Sequence, residues 1–197
     1  MLGFRDVKTA SSAALSAAVL FFLIAAGTAT AQTTATVFVA GNTLGDFGNP
    51  SVDGNQPYVT GIVATGPGTI VITYLSGTVT DGPDVNTGPD GTTWDFGTQQ
   101  AALQEASGIS GGTIDNFDAL IGIFVPQSRV QAPGFSPVDG TKDLVRVGLL
   151  PSTLFFIGTG KRLSVSGAGT LFLGINDDNA ASNGGGYNVL ITFTPAS

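Results

Sequence analysis

The stretch GINDDNAASNGGGYNV, residues 174–189, gathers Asp177, Asp178, Asn179, Ser182 and Asn183 ahead of three consecutive glycines, between two apolar runs. Carboxylate, amide, hydroxyl and carbonyl oxygens at one bend are the ligand types of a hard cation. Calcium takes about six to eight of them, and a glycine-relaxed loop can turn several inward. The stretch is no EF-hand, because the D-x-[DN]-x-[DN]-G pattern with its closing Glu is absent. A plain polar hairpin turn has the same composition, since Asn, Asp and Gly tolerate positive φ, and the residues alone leave both readings open. A second acidic stretch, DGPDVNTGPDG (81–91), repeats Gly-Pro-Asp and offers Asp81, Asp84 or Asp90, or a backbone carbonyl, to the same ion. Its alternative is a pair of proline turns. Trp94 and Asp95 follow directly, and a tryptophan beside polar oxygens suits either sugar stacking or a place in the core.

Other chemistry is narrowed by what the chain lacks. With no histidine and no cysteine, a Ser-His-Asp triad, a Cys-His dyad and a His-based zinc site are excluded. A two-carboxylate glycosidase needs an acid of raised pKa, whereas Glu105 is the only glutamate and every aspartate sits in turn-like sequence. The chain is therefore expected not to be an enzyme. Its net charge of −7 provides no basic patch, so neither nucleic acid nor an anionic membrane surface is an expected partner.

The elements that must position these oxygens read as strands. From Thr36 onward, short apolar runs are broken by Gly, Pro, Asn and Asp, the pattern of an all-β sandwich. Ile70, Ile72 and Tyr74 in TIVITYLSGTVT (69–80) alternate, as do Tyr187, Val189, Ile191 and Phe193 in YNVLITF (187–193). ALIGIFV (119–125) is apolar almost throughout, as a strand buried on both faces should be. STLFFIG (152–158), RLSVSG (162–167) and TLFLGIN (170–176) complete the set, QQAALQEA (99–106) reads as a short helix, and 81–98 and 126–143 read as loops. One domain over 36–194 is expected.

Ahead of it, Arg5 and Lys8 precede the apolar AALSAAVLFFLIAAG, which ends at the small-residue site Ala29-Thr30-Ala31. This reads as a signal peptide over 1–31, cleaved before Gln32, with a retained membrane anchor as its rival. The expected location is secreted, periplasmic or cell-surface. The mature chain, not itself in the membrane, would carry five basic and thirteen acidic side chains. Without a disulfide the exported fold must rest on its core and on any bound ion.

DALIGIF (118–124), FFIGTGKRLSVSGAGTLFLGINDDN (155–179) and NGGGYNVLITF (183–193), in that order, resemble the calcium-dependent galactophilic lectin family known as PA-IL-like. The likeness is close over 155–193 and looser over the rest of 36–194. It implies an antiparallel, jelly-roll-type β-sandwich of the galactose-binding kind, with a calcium ion at one loop tip that coordinates two hydroxyls of a carbohydrate. By resemblance, the first ligand carboxylate falls on Asp177 and the paired amide ligands on Ser182 and Asn183. A loop carbonyl falls near Ala180 or Ala181, and one from the earlier loop near Asp81. Ser182 replaces a family amide and the loop is shorter, which opens a ligand role to Asp178 or Asn179. Asp177 and Asn183 beside the ion, with Trp94 and Asp84 from the earlier stretch, are the expected sugar contacts. The family's sugar-selecting histidine has no counterpart over Trp94–Gln104, so galactose specificity is not implied. Weak single sites gain strength through multivalency, which makes a homo-oligomer an expected partner state.

Overall fold

Tyr187, Val189, Ile191 and Phe193 are all buried, on a single face of the longest uninterrupted apolar alternation in the chain. Around them the computed structural model describes residues 31–43, 58–81, 85–95, 113–130, 154–177 and 180–197. The leader expected over 1–31 (Ala31 apart), the helix expected over 99–106, and Asp84, Asp178 and Asn179 lie outside the described residues.

The fold is all-β and antiparallel, with two sheets packed face to face. The first holds β1 (Thr33–Ala40), β3 (Gly68–Asp81), β4 (Val85–Thr87), β9 (Gly160–Val165) and β11 (Gly184–Pro195). At its centre β11 pairs with β1 on one side and with β3 on the other, with a bulge at Asn188/Val189. The second sheet runs β2 (Tyr58–Ala64), β10 (Gly169–Ile175), β7 (Leu120–Pro126), β8 (Phe155–Phe156). A separate ribbon joins β5 (Thr92–Asp95) to β6 (Thr113–Phe117).

Between the sheets, Val37, Val39, Ile70, Ile72 and the β11 side chains meet Ile62, Leu120, Leu171, Leu173 and Ile175 in one cluster. On the other face of the second sheet, Ile121, Ile123, Val125 and Phe172 form a smaller cluster against Leu154 and Val130, the latter in the helical turn Gln127–Val130. The near-continuous apolar run 119–125 is thus a strand buried on both faces, as its composition predicts.

Three expectations are corrected. The stretch 81–98 is not one loop: Asp81 is the last residue of β3, and β4 and β5 lie inside the stretch, each too short for period-two alternation to be legible. Among the described residues of STLFFIG, 154–158, only the two-residue β8 is strand. The glycines 184–186 are not loop but the first residues of β11, facing Thr80, Val79 and Thr78. Gly185 and Gly186 take φ of 69° and 147°, and a Cβ on Gly185 would run into the Thr78 carbonyl oxygen. These glycines therefore admit a close backbone approach that side chains would block. Gly185→Ala is expected to cost about 2 kcal/mol in denaturant unfolding. Gly184→Ala, where a Cβ meets open space, should stay within about 1 kcal/mol of the parent.

Candidate metal centre

Four strand ends meet at one end of the sandwich. β10 stops at Ile175 opposite Leu120, the first residue of β7, and β11 starts at Gly184 opposite Thr80, one residue before β3 ends. The register therefore brings the segment before β7, the segment after β10 and the last residue of β3 into one corner.

The segment before β7 is a tight turn in which the Ala119 amide donates to Asn116 O at 3.0 Å. Asn116 and Asp118 have φ of 57° and 60°, the left-handed region that Asn and Asp enter more readily than other side-chain-bearing residues. Asn176 locks this turn to β10: its amide donates to Ala119 O, its Nδ2 donates to Asn116 O at 2.9 Å, and its carbonyl accepts from the Asp118 amide. From β11 the Tyr187 hydroxyl reaches the carbonyl oxygens of Asp118, Gly88 and Thr87 at 2.9, 2.8 and 3.1 Å. The same tyrosine thus ties the turn to the β4–β5 connection. Burial raises its pKa, so it remains a neutral hydrogen-bond donor.

Within this frame Asp118, Asp177 and Asn183 are 0%, 2% and 7% exposed. The Asn183 Nδ2 group donates to both carboxylates, to Asp118 Oδ1 at 3.0 Å and to Asp177 Oδ2 at 2.7 Å. Oxygens sharing one nitrogen lie within about 6 Å of each other, and at an effective dielectric of about 20 two full charges at that range repel by about 3 kcal/mol. Burial pushes the Asp118 carboxyl up to about 7, reinforced by the negative charges of Asp177 and then Asp81. The Asn183 amide and the Thr87 hydroxyl pull the other way, although Thr87 Oγ1 makes no hydrogen bond. Asp118 Oδ2 and Asn183 Oδ1 are buried and likewise lack a hydrogen-bond partner. Orphaned buried oxygens of this kind are uncommon in folded proteins and call for an explanation.

Of the residues singled out by sequence, the structure brings Asp177 and Asn183 together and places Asp81 close enough for its charge to act on Asp118. It does not bury Ser182 or Ala181, which are exposed in the turn Ala180–Ser182, whose Ala180 carbonyl accepts from the Asn183 amide. Asp90 is committed elsewhere, its Oδ1 accepting from the Thr159 amide at 2.9 Å. Of Trp94 only the backbone, on β5, is described. Asp118 is the residue that sequence reading missed. The available signal was a carboxylate set directly before a run apolar enough to be buried on both faces.

Among the described residues no group of three acidic side chains is arranged to hold a metal by carboxylates alone. The donor set here is instead two carboxylates and an amide, beside backbone carbonyls. Those are hard oxygen ligands of the kind calcium accepts, and the two orphaned oxygens are what such an ion would satisfy. No family model and no curated protein matches the chain, so this reading stands on geometry and chemistry.

Proposed function

We propose that this chain is an exported, calcium-dependent carbohydrate-binding protein of lectin type, with Asp118, Asp177 and Asn183 as the core of its ion site. The observation that carries the reading is the pair of buried carboxylates bridged by a single amide, with Asp118 Oδ2 and Asn183 Oδ1 buried and without a hydrogen bond. An asparagine carries an oxygen as well as a nitrogen, so Asn183 can separate the two acids without an ion and serve as a ligand with one. Asp177 and Asn183 are also two of the residues to which the PA-IL-like resemblance gives ion-ligand roles. A calcium with coordination positions left over for vicinal hydroxyls binds sugars modestly per site.

The test is retention on a glycan array in calcium, in chelator, and with calcium restored. Chelator-reversible retention that Asp177→Ala abolishes supports the lectin reading. A second reading, in which the ion serves stability alone, draws on the near-complete burial of Asp118, Asp177 and Asn183. Calcium-dependent melting with no glycan retained would favour it, and the absence of any calcium effect would overturn both.

A further inference from the structure

A sheet edge is a row of unpaired backbone donors and acceptors, and native proteins blunt it with charge, proline, bulges or brevity. Most edges here are blunted. β9 carries Lys161 and Arg162, β4 and β8 are three and two residues long, and β2 contains Gly61 at φ 73° with a shift in its register against β10. The β5–β6 ribbon is short and shifted as well.

β1 has none of these devices. TTATVFVA spans eight residues without charge, proline or glycine, and pairs one for one with β11 from Thr33↔Phe193 to Ala40↔Gly186. Among the described residues β11 is its only partner. The Gly41 amide donates to Gly185 O at 3.0 Å in continuation of that register. Bonded pairs alternate along an antiparallel ladder, so Val39, Val37 and Ala35 turn their backbone groups to β11. Thr34, Thr36 and Phe38 turn theirs outward, and Phe38 is 50% exposed.

We infer that the outer edge of β1 pairs antiparallel with β1 of a second copy, joining two five-stranded sheets into one across a two-fold axis. Three features select a second copy. An antiparallel two-fold supplies each outward donor with an identical strand's acceptor, up to about six bonds for pairing centred on Thr36. Centring on Thr36 or on Val37 places Phe38 opposite Thr34 or Thr36 of the other copy, and aromatic–β-branched pairs are favourable across strands. In a chain of net charge −7, the uncharged β1 is also where two copies approach with least repulsion.

The test is sedimentation equilibrium of the full chain as the expressing cell processes it, in calcium and in chelator. The edge contact needs no ion, so a two-chain mass is expected in both buffers. Thr36→Pro removes an outward N–H and no β11 bond, and should weaken self-association at least about 100-fold while cooperative unfolding persists. Thr36→Lys places like charges at the axis, retains the N–H, and decides the matter if the proline variant does not fold. Leu75→Lys, an exposed site on β3 away from the edge, should remain dimeric. A monomeric parent, a dimeric Thr36→Lys, or dissociation by Leu75→Lys alone would each overturn edge pairing. So would a monomer whose Thr36 amide is protected from hydrogen exchange, because its own chain would then fill the edge.

Discussion

In calcium-free buffer at pH 8, Asp118→Asn is expected to be more stable than the parent by up to about 4 kcal/mol, and at pH 4 that advantage should vanish. The folded chain holds the Asp118 proton up to about pH 7, whereas an unfolded aspartate releases it near pH 3.9. Between those values the native state binds more protons than the unfolded state, so stability falls as pH rises through the window. The magnitude follows from about 1.4 kcal/mol for each tenfold difference in proton affinity. Asparagine resembles the protonated acid in shape and tolerates the left-handed φ of 60° at this position. It therefore removes the titration without disturbing the turn. Chemical denaturation of parent and variant from pH 4 to 8 measures it, and parallel profiles would remove Asp118 as the source of the pH dependence.

The second prediction is that added calcium narrows that gap. With calcium at about 100 times its Kd, the parent should gain about 2.7 kcal/mol, a rise in Tm of about 5–10 °C for a domain of this size. Asp177→Asn deprives the ion of one of its two buried charges. If affinity falls about 100-fold, the same calcium concentration contributes only about 0.4 kcal/mol, a shift of one or two degrees. Asp118→Asn should lose its response in the same way, so calcium should cut that variant's advantage at pH 8 by about 2.3 kcal/mol, the difference between the two gains. An ordinary polar turn predicts no calcium response in any of the three proteins. Parent melting curves that do not move would end the ion reading and leave the pH prediction standing.

What could be read from sequence followed from how local each signal was. The buried face of β11 and the two buried faces of β7 are visible because a strand carries its own periodicity. Asp177 and Asn183 are visible as candidates because they lie six residues apart in one polar stretch. Asp118 lies 59 residues before Asp177, and only the pairing of Leu120 with Ile175 brings them together. Nothing local encodes that register. β2 escaped notice because Gly61 interrupts its apolar run, and β1 starts at Thr33, ahead of the expected Thr36, because its first four residues are three threonines and one alanine and give little hydrophobic contrast.

The pairing of β1 with β11 also governs when the protein can fold. The first described strand and the last are neighbours in one sheet, and among the described residues β11 is the only strand that joins β1 to β3. Until residues 184–195 have been synthesised, β1 has no ladder and Asp118 has no Asn183. Contacts this distant in sequence make for slow folding. A chain still being made therefore lacks the strand that closes this sheet, and the sheet stays open until residues 184–195 have been added.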